Sequence, residues 1–207
     1  FVQNDLDLLT EFAKRNQVQL FLQPGNLKSV HPLYPEKPDA LFFELKEFDI
    51  KIEFLPTDFI QVNGGINDQL VSRAIELLDI QKDDRVLDLF CGVGNFTLPL
   101  ARYSDHVAGV EGDQALVNRA IHNRQLNGLD DVEFHFGDLF KEDMNAASHG
   151  DWLDQKFDKI LLDPPRSGAA EMIRRLPEFG ASKVVYVSCG PATLARDAGV
   201  MVNEHGY

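Results

Sequence analysis

Residues 85–96 read RVLDLFCGVGNF, and the fold turns on how they are read. A β-rich run from Arg85 to Phe90 passes into a turn with glycines at 92 and 94, which permit a tight reversal and close approach of a ligand to the backbone; a helical pattern follows. A lone G-x-G is a weak signal, because glycine turns between strand and helix also arise for steric reasons alone. Repetition strengthens it. The runs HVAGVE (106–111), VEFHF (132–136), FDKILLD (157–163) and KVVYVS (183–188) come next, with a helical pattern between each pair. Strands alternating with helices predict βαβ units and a mostly parallel sheet covered on both faces, a doubly wound, Rossmann-like α/β domain. In such a sheet, ligands bind beyond the carboxyl ends of the strands.

Upstream, INDQLVSRAIELLDI (66–80) places Leu70, Val71, Ala74, Ile75 and Leu78 on one helical face, with Asn67 or Asp68 as the expected cap. Asn63-Gly64-Gly65 breaks the pattern before it, so the large domain is expected to span 63–207 and a small α/β layer 1–62. In that layer Leu6, Leu9, Phe12 and Ala13 share a helical face, and QLFLQ (19–23) reads as a strand. Residues 24–39 hold four of the ten prolines and predict no regular element. ALFFELKEFDIKIEFLP (40–56) alternates apolar and polar residues about a short turn, which predicts a hairpin.

Composition sets bounds. With 207 residues, 44% of them apolar, the chain can build one substantial core and a small satellite. No apolar run nears the roughly 18 residues of a membrane span, and no leader pattern is seen, so the expectation is a cytoplasmic protein. Two cysteines, Cys91 and Cys189, far apart in sequence, and six scattered histidines predict neither a disulfide framework nor a metal site. The net charge of −13 argues against bulk electrostatic capture of a polyanion. Residues 164–207 nevertheless carry five basic residues against four acidic ones, so a local nucleic-acid surface is open to the chain.

The carboxyl end of each strand supplies candidates. Glu111, 17 residues beyond Gly94, stands where an acid accepts hydrogen bonds from two ribose hydroxyls, although alone it reads as a solvated strand-end carboxylate. Asp138 is placed to meet an adenine edge, or to cap a helix. After Asp163, two prolines stiffen the loop DPPRSGA (163–169), which is either a rigid connector or part of a site. Cys189 precedes Gly190 and Pro191. Proline suits a first helical turn, so the thiol is expected beside a helix N-terminus, whose dipole favours a thiolate. Cys91 lies within the glycine loop and reads as a small packing residue.

DFIQVN (58–63), VLDLFCGVGNFTLPLA (86–101), GVEG (109–112), DPPRSGA and VYVSCGPATLARD (185–197) together resemble the S-adenosylmethionine-dependent RNA uracil-C5 methyltransferases, most closely the bacterial 23S ribosomal RNA type. The resemblance runs from about Leu55 to the C-terminus, and it implies a class I methyltransferase fold. It implies that Cys189 is the nucleophile and that Gln61, Phe90, Asn95, Glu111, Asp138 and Asp163 contact S-adenosylmethionine, with Gly92 in the cofactor turn. The implied chemistry has a physical logic: C5 of uracil is a poor nucleophile, so a thiolate adds to C6, the enolate takes the sulfonium methyl, and a base removes the C5 proton to free the thiol and leave 5-methyluridine. No metal is needed. The target uridine must be single-stranded or flipped.

Three departures carry expectations of their own. Gly190 stands where the family has Asn in S-C-N-P. The family's oligonucleotide-binding barrel and iron–sulfur cysteines do not appear, and the motif holding its catalytic glutamate would lie past NEHGY (203–207). The chain is therefore expected to be a fragment or a shortened relative, with the last strands of the sheet missing. On that expectation KVVYVS is an exposed edge inviting a homodimer, and methylated RNA fails to release. The alternatives are an exocyclic-amine methyltransferase, whose D-P-P motif is followed by an aromatic where this chain has Arg166, and a non-catalytic fragment that binds cofactor or RNA.

Overall fold

The computed structural model describes residues 2–145 and 150–207. Helix α1 (Gln3–Asn16) packs on the antiparallel pair β1 (Leu20–Leu22) and β2 (His31–Tyr34). Ala13 is buried and Leu6 and Leu9 are half-buried, but Phe12 is 49% exposed, so the predicted face is narrower than its four residues. The proline-rich stretch does contain regular structure: a 3₁₀ turn at Leu27–Ser29 and then β2 itself. Pro32 is tolerated there because β2 belongs to a two-stranded sheet, where a missing N–H can face away from the partner.

Strands β3 (Leu41–Leu45) and β4 (Ile50–Phe54) pair across a 3₁₀ turn that ends at Asp49 in the left-handed region (φ 50°). The chain through Phe42 forms one compact unit with Glu53–Ile60, whereas Phe43–Ile52 groups with Gln61–Tyr207 in the other. The inner half of the hairpin thus belongs to the large unit. Its Leu45, Phe48, Ile50 and Ile52 enter the same core as Val71, Ala74, Ile75 and Leu78 of α2 (Gly64–Leu78). Helix α2 begins earlier than predicted. Its cap is Asn63, whose side chain accepts from Ile66 N at 3.2 Å, and Gly64 and Gly65 form the first turn, where glycine costs less than in a helix interior.

The large unit continues through β5 (Arg85–Leu89), a single helical turn α3 (Thr97–Leu100), β6 (His106–Glu111), α4 (Gln114–Leu126), β7 (Val132–Phe136), β8 (Lys159–Leu162), α5 (Ala170–Phe179), β9 (Lys183–Tyr186) and α6 (Pro191–Asn203). All five strands are parallel, in the order β7-β6-β5-β8-β9. Two predicted helices are reduced: α3 is one turn, and between β7 and β8 the described residues hold only the 3₁₀ turn Asp151–Asp154. The chain runs outward from β5 to β7 and then crosses to β8, so the strand order reverses beside β5, which is where a doubly wound sheet opens its ligand crevice.

Side chains alternate across the sheet. Leu87, Leu89, Ala108, Val110, Ile160 and Leu162 face a core shared with Trp152 and with Met172, Ile173, Leu176 and Phe179 of α5. Val86, Val107 and Leu161 face the α2 side. Both faces are covered, as near-continuous apolar strands require. Among the described residues no helix is long and apolar enough to cross a membrane.

Candidate active site

Leaving β5, the backbone turns left-handed three times, at Phe90 (φ 68°), Gly92 (φ 55°) and Gly94 (φ 94°). Phe90 N and Cys91 N both donate to Val110 O, at 2.9 and 3.1 Å, which locks the turn against β6. A Cβ at Gly94 would meet Leu98 Cγ at 3.1 Å, so glycine lets the loop close on α3. A Cβ at Gly92 would meet nothing within 4 Å; its backbone faces open space. Asn95 and Asn67 exchange side-chain hydrogen bonds of 2.8 and 2.9 Å, joining this loop to the start of α2.

The half-buried Glu111 closes the corner. Its Oε2 accepts from Gly92 N and its Oε1 from Asp113 N, each at 3.0 Å. A carboxylate has about four acceptor positions, so two N–H groups fix its orientation and leave capacity toward a ligand. Asp138 Oδ1 accepts from Phe140 N at 3.3 Å and Lys141 Nζ lies 3.6 Å from Oδ2, so the carboxyl caps a turn and not the helix that one of its two sequence readings expected. The ring of Phe140 lies 5.6 Å from that of Phe90, which makes an apolar wall between the first and third loops.

Asp163 follows β8 directly, its N–H donating to Leu89 O at 3.3 Å; burial pushes its carboxyl up to about 6. One residue goes further. Asp88 is fully buried in β5, receives the Thr97 hydroxyl at 2.5 Å, and has its other oxygen without a partner among the described residues; desolvation pushes it up to about 8, against the pull of the Thr97 hydrogen bond. Cys91 is 4% exposed, and burial, then the nearby Asp88 and Glu111, push its thiol well above the ordinary range.

Cys189 is exposed, three residues beyond the end of β9. Val187 N still donates to Leu162 O at 2.8 Å, so the chain leaves the sheet only just before the cysteine. Helix α6 then opens at Pro191, with Gly190 as its cap. Thr193 Oγ1 bridges two carbonyl oxygens, Gly190 O at 3.0 Å and Arg166 O at 3.1 Å, and so joins the loop after β8 to the loop after β9. A Cβ at position 190 would meet that hydroxyl at 2.7 Å, so glycine here leaves room for the bridge.

The structure thus brings Phe90, Gly92, Asn95 and Glu111 into one hydrogen-bonded corner, attaches Asp138 through Phe140, and places Asp163 and Cys189 on neighbouring, cross-linked loops. Gln61 is half-buried two residues before the Asn63 cap, on the segment leading into α2, whose Asn67 bonds Asn95. Sequence reasoning took Asn67 for a helix cap and missed Asp88 and Phe140. For Asp88 the signal was a carboxylate inside an otherwise apolar strand. An open glycine backbone, a carboxylate with spare acceptor capacity and an aromatic wall fit a nucleoside bearing ribose hydroxyls.

Residues 42–206 match the family model described as tRNA (Uracil-5-)-methyltransferase. The 23S rRNA (uracil(1939)-C(5))-methyltransferase RlmD of Xanthomonas campestris pv. campestris (strain 8004) is 51% identical over 203 residues, 98% of this chain and 45% of that protein. The protein of the same name from Xylella fastidiosa (strain 9a5c) is 50% identical over 199 residues, covering 96% of this chain and 44% of its own length. The chain therefore spans about half the length of the curated relatives it matches. The crystal structure of Pyrococcus abyssi tRNA (uracil-54, C5)-methyltransferase in complex with S-adenosyl-L-homocysteine superposes on 87% of this chain and 43% of its own, with a TM-score of 0.68 and 24% identity, a likeness of fold.

Proposed function

The chain belongs to the tRNA (uracil-5-)-methyltransferase family, and on that premise we propose that it methylates C5 of uracil in RNA, using S-adenosylmethionine and a covalent adduct between Cys189 and C6. The substrate class we infer is 23S-type ribosomal RNA, after the relatives' names. The observation that carries the reading is the exposed Cys189, at the carboxyl edge of the sheet and tied through Thr193 to the loop that begins at Asp163. Cys91, the other thiol, is buried and held protonated, and so is unsuited to the role.

The corner around Gly92 fits S-adenosylmethionine by its donors and acceptors. Glu111 would take the ribose hydroxyls, Phe90 and Asp138 would flank the adenine, and Gln61, Asn95 and Asp163 would complete the cradle. When bound, this cofactor supplies an electrophilic methyl on a sulfonium. Asp163 suits a cationic ligand, because a positive charge offsets what burial costs its carboxylate. Cys189 acts on the base: its thiolate forms a bond to C6, the C5–C6 π pair shifts toward C5 and O4 as an enolate so that C5 becomes nucleophilic, and later loss of the C5 proton to a base re-forms the double bond and expels the thiolate. The uridine reaches the sulfur single-stranded or flipped.

Two finer readings accompany this one. An RNA substrate fits activity in the cytoplasm. The outer edge of β9, which pairs with no further strand among the described residues and is flanked by a cavity of about 550 Å³ lined by Lys183, Val184, Met201, His205 and Tyr207, suits pairing with a second copy of the chain. The test of function is incubation of ribosomal RNA with isotopically labelled S-adenosylmethionine, followed by nucleoside analysis. Label in 5-methyluridine that is lost in Cys189→Ala supports the reading; label on a base amine, or label in 5-methyluridine that survives Cys189→Ala, refutes it.

A further inference from the structure

Asp197 is 1% exposed, yet its carboxylate is fully engaged. Oδ2 accepts from Ala169 N at 2.8 Å and from the Tyr186 hydroxyl at 2.7 Å; Oδ1 accepts from Arg196 Nε at 2.7 Å and lies 2.6 Å from Arg196 Nη2. Arg196 Nη2 also donates to Ser167 O at 3.1 Å. Gly168, at φ 80°, brings the loop backbone so close that a Cβ there would stand 2.6 Å from Asp197 Oδ2 and would also strike Arg196. One buried carboxylate therefore ties together the last residue of β9, the end of the 163–169 loop and the second turn of α6.

We infer that Asp197 is a positioning residue that holds the Cys189 thiol in register with the Asp163 loop. The reason is mechanical. Cys189 sits between Tyr186 and α6; Ser188 Oγ accepts from Gly190 N at 3.1 Å around it, and the first turn of α6 adds its own backbone bonds and Thr193. The charge-assisted contacts lie one turn further on, at Arg196 and Asp197. Burial and the negative neighbour push the Tyr186 hydroxyl up, so it remains a donor to Asp197 throughout the working range. With its four acceptor positions filled, Asp197 has none left for substrate, so it acts through what it holds. Holding matters because a reacting atom misplaced by about 1 Å can cost about a hundredfold in rate.

The consequence for methylation rests on the uracil-C5 reading above, so the test separates the two. With RNA containing 5-fluorouridine plus S-adenosylmethionine, adduct formation at saturating RNA is compared among the unmodified chain, Asp197→Asn, which puts an N–H₂ among donors, and the milder Tyr186→Phe. Expected are slowing of about tenfold and about threefold respectively, with the cofactor dissociation constant and the RNA half-saturation concentration within about threefold of the parent. Rates within about twofold of the parent in both variants overturn the inference. So does a parallel fall of rate, cofactor affinity and melting midpoint, which marks a merely structural role. If the unmodified chain forms no adduct, the uracil-C5 reading fails, and iodoacetamide alkylation of Cys189, with buried Cys91 as internal reference, decides instead. A change beyond about threefold in Asp197→Asn then supports positioning, and an unchanged rate overturns it.

Discussion

Cys189 and Cys91 share a side chain and differ in where the sheet puts them. One emerges past a strand end beside a helix cap, and the other is packed under a glycine turn where burial keeps it protonated. Asp163 shows the same dependence on place, and its titration makes a prediction. Its folded value of about 6 lies above the ordinary 3.8, so between those values the folded chain keeps a proton that the unfolded chain has lost, and this group's contribution to stability falls as pH rises through that window. A bound cation reverses the preference. It favours the carboxylate, and so S-adenosylmethionine should bind about tenfold more weakly at pH 5 than at pH 7 and release a proton on binding near pH 6. Calorimetric titration across that range checks it, and Asp163→Asn should flatten the profile. At this scale the sequence was legible where a residue's place follows from a strand end, as for Glu111 and Cys189. It was opaque where a partner comes from a distant element: nothing local pairs Asn67 with Asn95, or Asp197 with Ala169.

Elements follow the same division. The five strands and α2 were legible because their apolar periodicity reflects burial directly, whereas the lengths of α3 and of the segment before β8 depend on packing the sequence does not display. The cap of α2 was misplaced because Asn63, Asn67 and Asp68 all offer capping side chains, and only the fold commits Asn67 elsewhere. Gly109 in β6 illustrates what the β5–β6 pair requires. Asp88 lies opposite Gly109 in the parallel register, and a Cβ at Gly109 would stand 2.8 Å from the Phe134 ring and 3.0 Å from Cys91 Sγ. Neither neighbour is a free end that can swing away. Gly109→Ala should therefore cost about 1–3 kcal/mol of stability, measured by denaturant unfolding, through overpacking beneath the loop. An unchanged midpoint would show that the strand relaxes freely.

For the molecule as a whole, the strand order β7-β6-β5-β8-β9 brings the loops after β5, β6, β7, β8 and β9 to one edge, and that convergence makes residues from these five loops a single candidate site. The doubly wound domain was legible in the alternation of strand and helix. The allegiance of Phe43–Ile52 was not, because a hairpin's pattern says that it is half-buried but not against what. If β9, the edge strand among the described residues, pairs with a second copy as proposed, sedimentation equilibrium should show a mass rising with concentration above the 23.3 kDa of one chain, and a constant 23.3 kDa would refute the dimer. On the proposed function, the net charge of −13 would leave recognition of RNA to local contacts, so chemistry at the sulfur tests the function better than affinity does. The most direct measurement is proteolysis and mass spectrometry of the chain after incubation with 5-fluorouridine RNA and S-adenosylmethionine. The account predicts a methylated fluorouridine adduct on the peptide containing Cys189. An adduct confined to another residue, or methyl transfer to RNA with no covalent species at all, would contradict it.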